Sequence, residues 1–228
     1  MQPRLKVFVG YESRQDLAWQ VARHSLLRHA KIDVSVYPVK QDLLREIGLY
    51  NREVDKLGST EFTITRFLSP FLAATDDWCV FVDCDVLFTR DIGEVLQTLD
   101  KSKAVYVVQH AYEPRQDSKI LGEIQYTYPR KNWSSLIFFN GANEHVRSLT
   151  PDLVNTASPA FLHRFHWVPD DQLIGALPED WNYLVGDYVT PDQVPAMIHF
   201  TNGGPWFERH RDVAFADLWR AEAALLDV

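Results

Sequence analysis

Cysteine is scarce: only Cys79 and Cys84 occur in 228 residues. They lie five positions apart in one apparent strand, roughly 17 Å at extended-chain rise, which excludes a mutual disulfide and fits a reducing compartment. Long apolar runs are missing as well. No stretch approaches the roughly 20 residues that span a bilayer, and no basic start followed by an apolar run opens the chain. The expectation is a soluble, cytoplasmic protein with no integral membrane segment, able to sit peripherally on the inner face of the membrane. Positive charge is in deficit: the formal net charge is -8 at pH 7, which argues against a nucleic-acid partner. An anionic substrate then needs local help, for which Arg14, Arg66, the pair Arg130 and Lys131, the pair Arg209 and Arg211, or a divalent cation are candidates. Repeats, low-complexity tracts and Gly/Ser linkers are absent, so one domain over residues 1–228 is expected.

What is present is a core-forming composition, 46% hydrophobic and 13% aromatic, in which strand and helix patterns alternate. "LKVFVG" (Leu5 to Gly10) is a short apolar run, and Ser13 and Asp16 after it are spaced like a capping box. Ala18, Val21, Ala22, Ser25, Leu26 and His29 recur with helical period. "IDVSVYPV" alternates Ile32, Val34 and Val36 on one side, and "QDLLREIG" and "TITRFLSPFLAA" read as helical. Apolar runs follow at "CVFVDCDVLF", "AVYVVQH", "SSLIFFN" and "AMIHFT". This order predicts an α/β fold with a mixed, mainly parallel central sheet flanked by helices. Residues 112–133 are the least regular and read as a long loop for acceptor binding or a lid. "DVAFADLWRAEAALLDV" predicts a C-terminal helix at about 207–227 that docks on the core, with Glu222 interrupting its apolar face. Trp133, Trp167 and Trp181 can stack on a sugar, although aromatic residues of this kind are mostly core.

Two acids interrupt the most apolar run. A buried, isolated carboxylate is costly, so Asp83 and Asp85 must reach solvent or meet a cation. In an extended segment they point to one face while Cys84 points to the other. Ligands of open α/β sheets bind beyond the carboxyl ends of strands, where this motif sits. Hard oxygen donors suit Mn2+ or Mg2+.

"FVDCDVLF" resembles the Asp-x-Asp signature of nucleotide-sugar glycosyltransferases with the GT-A (Rossmann-like) fold, in particular the glycogenin-like and lipopolysaccharide galactosyltransferase-like group called family eight. Further segments occur in that family's order from about Leu5 to Trp206. "TRFLSPFLA" is similar to the helix whose arginine reaches the donor sugar, here Arg66. "SSLIFFNG" is similar to the central strand ending in Asn. "DDQLIGALPEDWNYLVG" is similar to an Asp-Gln segment followed by Trp-Asn, which places Asp171 and Gln172 beside the donor. "IHFTNGGPW" resembles the late segment whose histidine, here His199, completes a metal site with Asp83 and Asp85.

The resemblance implies a metal-dependent, retaining hexosyltransferase that uses Mn2+ or Mg2+, a UDP-sugar donor and a saccharide or glycolipid acceptor, as in polysaccharide assembly. Gln172, Asp171 and Arg66 take the catalytic roles. The donor lies against Gly10, Tyr11 and Arg14 after the first strand, against Asp83 and Cys84, and against Asn202, Gly203 and Trp206. An inverting enzyme would instead use Asp170 or Asp171 as a general base. Four departures stand out: Gly204 occupies the place of a lysine, Ser135 that of a glycine, Asn132 is one position out of step, and the acidic residue expected soon after the first strand is matched only loosely by "VGYESR".

Two other readings are weighed. "DCDVLFT" and "GDYVTPD" resemble motifs of haloacid-dehalogenase-like phosphatases, with Asp83 as nucleophile and Mg2+ between Asp83 and Asp187. A non-catalytic nucleotide-sugar-binding protein is the third.

Overall fold

The computed structural model describes residues 4–53, 60–110 and 130–226. Among them, β1 (Leu5–Gly10), β2 (Val34–Val39), β3 (Trp78–Val82), β5 (Val105–Val108), β6 (Leu136–Asn140) and β7 (Ile174–Leu177) form a six-stranded sheet of order β2-β1-β3-β6-β5-β7. β4 (Val86–Phe88), β8 (Tyr183–Leu184) and β9 (Met197–His199) form a second sheet of order β4-β9-β8. The helices are α1 (Asp16–His29), α2 (Gln41–Glu46), α3 (Ser69–Ala73), α4 (Gly93–Leu96), α5 (Glu144–Arg147), α6 (Pro151–Thr156), α7 (Pro159–His163) and α8 (Ala216–Ala223). No helix among the described residues is long and apolar enough to cross a membrane.

The large sheet is mixed and mainly parallel, as the order of elements predicts. β1 runs parallel to β2 and β3, and β5 parallel to β7, while β6 is antiparallel to both neighbours. β5 and β6 are buried along their whole lengths, which explains their unbroken apolar runs: a sheet covered on both faces has no solvent side to alternate with.

Four local expectations are corrected. "CVFVDCDVLF" is not one strand: β3 ends at Val82, Asp83 to Asp85 form a turn, and β4 resumes in the other sheet with Val86 opposite His199. The chain leaves the large sheet where carboxylates would otherwise enter its interior. Cys79 therefore lies in β3 and Cys84 in the turn, both buried and free. Ser13 does not cap α1; it belongs to a 3-10 turn and its hydroxyl bonds the Glu61 carboxylate. The "TITRFLSPFLAA" segment is a 3-10 turn (Thr65–Leu68) running into the short α3.

The fourth concerns the C-terminus, where α8 is shorter than the pattern suggested, preceded by a 3-10 turn at Glu208–His210. Glu222 does not break its buried face but completes it. Its carboxylate, 3% exposed, meets His24 Nδ1 at 2.7 Å and Arg28 Nε at 3.0 Å, clasping α8 to α1. Burial alone would raise Glu222, but the bonds from Arg28 and His24 outweigh it and hold the acid below its ordinary value.

One edge of the large sheet collects the exits of β1, β3 and β5 and the entry of β6. The amide of Asp83 bonds the carbonyl of Ser135 there at 2.9 Å. The opposite edge is tied by Gly141 to Asp77, Asn140 to Ala104, and Ala104 to the carbonyl of Leu173.

Candidate functional site

Asp83, Asp85 and His199 come together at the exit edge, each offering one ligand atom within 4.8 Å of the others. The break between β3 and β4 aims the two carboxylates, and the pairing of Val86 with His199 brings in the imidazole from the second sheet. His199 Nε2 lies 3.2 Å from Asp85 Oδ1, yet that buried oxygen has no hydrogen-bond partner. An acceptor left unbonded beside an imidazole nitrogen is what two ligands aimed at a shared cation present, and two carboxylates with one imidazole could hold a metal ion.

Burial pushes Asp83 up to about 6, with Asp85 adding to the rise and Arg66 opposing it. Burial raises Asp85 as well, but His199 beside it outweighs this and leaves the acid below its ordinary value. Burial would lower His199, and the negative charge of the Asp85 carboxylate beside it turns the net shift upward. A cation entering the group replaces protons held there.

Arg66 is buried and fully engaged with this edge. Its Nη1 donates to Asp83 Oδ1 and to the Ser134 carbonyl, both at 2.8 Å, and its Nε to the Thr63 carbonyl at 3.1 Å. The guanidinium lies over the rings of Phe62 and Phe81. Arg66 thus fixes the Asp83 carboxylate directly.

The exit of β1 brings Gly10, Tyr11 and Arg14 to the same edge. Tyr11 donates its hydroxyl to Asp16 at 2.8 Å, and the exposed Arg14 bonds Glu12 at 2.6 Å. Sequence reasoning passed over Glu12. It is fully buried, accepts the Glu61 amide at 3.0 Å as well as Arg14, and so holds the loop after β1 in place. Its one signal was the resemblance, which expects an acidic residue soon after the first strand; nothing in "VGYESR" itself tells of burial.

Beyond β9, the Phe200 amide bonds the Asp85 carbonyl, so the "TNGGPW" turn lies beside the group. Asn202 donates to Asp187 at 3.0 Å. Gly203 has φ +104°, and a Cβ there would lie 2.7 Å from the His210 ring. At Gly204 a Cβ would lie 2.0 Å from the Trp206 ring, so the indole occupies the space beside that glycine. Trp206 packs against Phe200 and Trp219. Arg211 pairs with Glu208, and Arg209 lies over Phe207. Cys84, between the two acids, is buried, and burial lifts its thiol well above the ordinary value.

Asp171 and Gln172 are placed elsewhere. They form an exposed 3-10 turn leading into β7, where Lys103 donates to the Gln172 carbonyl at 2.7 Å. That places their backbone at the strand-entry edge, where Ala104 also bonds the Leu173 carbonyl. The Asp171 side chain reaches Arg130, which stands just before the Trp133–Ser135 turn into β6. Among the described residues, the group that could hold a metal takes its third member from His199 rather than Asp187, against the phosphatase reading. Trp167 and Trp181 are core; Trp133 packs on the core and bonds the His110 carbonyl. Most of the 112–133 segment falls outside the described residues.

No protein-family model matches the chain. The fold is shared with solved glycosyltransferases. GlyE of Streptococcus pneumoniae TIGR4 superposes with a TM-score of 0.65 at 15% identity, covering 99% of this chain and 61% of that one. The bifunctional glycosyltransferase WbbM gives 0.63 at 17% identity, with 100% and 50% covered. The chain thus spans about three fifths of GlyE and half of WbbM. The galactosyltransferase LgtC, solved with donor and acceptor sugar analogs, gives 0.62 at 12% identity, with 98% and 97% covered.

These likenesses define the class: a mixed α/β fold of the GT-A-like glycosyltransferase type. In sequence, Protein CDI of Arabidopsis thaliana is 44% identical over 221 residues, covering 95% of this chain and 85% of that protein. The chain belongs to the Protein CDI family.

Proposed function

We propose that this protein is a divalent-metal-dependent glycosyltransferase of the family-eight type. It moves a hexose from a nucleoside diphosphate sugar, UDP-hexose being the donor the resemblance favours, to a saccharide or glycolipid acceptor with retention. The observation that carries this reading is the Asp83, Asp85 and His199 group at the exit edge of a GT-A-like sheet.

Mn2+ or Mg2+ held by these three residues supplies Lewis-acid stabilisation of the charge that develops on the leaving diphosphate. The chain's own residues do the rest. Arg66 orients Asp83 and keeps a positive charge at the edge where phosphate charge grows. The β1 exit, with Gly10, Tyr11 and Arg14, receives the base and ribose. The Cys84 backbone and the turn at Asn202 and Gly203, packed by Trp206, border the diphosphate, and glycine lets that backbone approach an anion closely. Asp171 and Gln172, on the strand-entry edge, take no part in this reading.

Calorimetric titration of UDP with and without Mn2+, into the wild type and Asp85→Ala, tests it. Metal-dependent binding that disappears in the variant is expected. UDP binding indifferent to both metal and substitution sinks the proposal. Retention is checked on the product's anomeric configuration by NMR, and an inverted product removes that part.

A further inference from the structure

His199 can act as a metal ligand through Nε2 only while its proton sits on Nδ1. What decides this lies one residue away from the metal group. Asn182, fully buried, ends the 3-10 turn before β8, and its side-chain oxygen lies 2.9 Å from His199 Nδ1. Its amide nitrogen lies 2.7 Å from Ser135 Oγ and 3.0 Å from His110 Nε2.

The orientation of that amide follows from the next residue out. Ser135 donates its hydroxyl hydrogen to the Asn132 carbonyl at 2.7 Å, so its oxygen has only lone pairs left for Asn182. The NH2 end must therefore face Ser135, and the oxygen must face His199. An oxygen there can only accept, so His199 Nδ1 carries a proton, and in the neutral imidazole it is the Nε2 lone pair that faces Asp83 and Asp85. The second NH2 hydrogen goes to His110 Nε2, whose own proton then sits on Nδ1 and meets the Tyr188 hydroxyl at 2.8 Å. Burial, which pushes His110 down to about 3, agrees with this neutral form. Donors and acceptors match along the chain in this one arrangement.

We propose that Ser135 and Asn182 are positioning residues that set which nitrogen of His199 faces the metal, Ser135 orienting the Asn182 amide and Asn182 holding the imidazole. Ser135 stands where the resemblance expects a glycine, so the anchor is a feature of this chain. The inference rests on the proposed metal site.

Mn2+ affinity and melting temperature are to be measured by calorimetry for the wild type, Asn182→Ala, Asn182→Asp and Ser135→Ala. Asn182→Ala is expected to lose roughly 10- to 100-fold in Mn2+ affinity, the scale of removing a metal ligand's orienting partner. Asn182→Asp keeps an oxygen for the Nδ1 proton and is expected to restore affinity to within about tenfold of wild type, whatever its effect on melting. A purely structural residue would lose affinity in step with stability in both variants, and that result overturns the inference, as does wild-type affinity in Asn182→Ala. Should Asn182→Ala not fold, Ser135→Ala decides: a loss of about threefold or more is expected because the amide is then free to turn, and unchanged affinity overturns the proposal. A wild type that does not bind Mn2+ sinks the metal reading itself. A wild type that binds beside variants that bind equally sinks only this inference.

Discussion

Acid should weaken Mn2+ binding, by an amount the site's geometry sets. Asp83 is pushed up to about 6 by burial, with Asp85 adding to the rise and Arg66 opposing it. At pH 5 about ten in eleven copies of Asp83 carry a proton that an incoming cation must displace, so affinity falls roughly tenfold between pH 8 and pH 5 from this group alone. His199, also raised, adds to the loss in the same direction. Asp85 is lowered and stays ionised across the range, adding nothing.

The same shifts govern stability without metal. A carboxyl raised from 3.8 to about 6 favours the folded state below the unfolded value, and that advantage is lost as pH rises through the folded one. Its size is at most about 3 kcal/mol. The raised His199 acts with the same sign. Lowered Asp85 acts oppositely: its stabilisation is present above its unfolded value and fades as pH falls. The assay is a Mn2+ titration by calorimetry from pH 5 to pH 8 in two buffers of different ionisation heat. Affinity that rises with pH, with proton release seen as a buffer-dependent heat, is expected. Equal affinity at both ends, with no buffer dependence, refutes the reasoning.

Two further outcomes follow from local geometry. Gly203→Ala forces a Cβ to within 2.7 Å of His210 at φ +104°. It should cost about 1–3 kcal/mol and roughly 2–12 °C of melting temperature. Gly48→Ala, at φ +76° in open space, should cost only about 1 kcal/mol for the backbone; equal losses would show that the His210 contact is unimportant. Gln172→Ala, on the far edge of the sheet, should leave UDP and Mn2+ affinity within about twofold, since distant sites behave independently. A tenfold loss on titration would place Gln172 at the site after all.

The alternation of apolar runs and helical periods was enough to predict the α/β order and the parallel start of the sheet, because burial on both faces writes itself locally as unbroken runs such as "LIFF". The pair Asp83 and Asp85 was legible for a similar reason: charge inside an apolar run is costly wherever the chain goes. His199 was a weaker signal, since a histidine at a strand end has many ordinary explanations and became a candidate only through resemblance to an ordered set of motifs.

Tertiary structure alone decided the rest. Nothing local says that "CVFVDCDVLF" divides between two sheets, that Glu222 turns inward to meet His24 and Arg28, or that Glu12 is buried under the β1 loop. Each depends on a partner dozens or hundreds of residues away. The same holds for Gln172 and Asn182, ten positions apart. Resemblance pointed to the first, whose backbone the register of β7 on β5 places at the strand-entry edge, while the turn into β8 brings the second against His199. Residue type along the chain determines which groups can do the chemistry; only the pairing of strands determines which of them meet, because that pairing is set by the whole core rather than by any one segment.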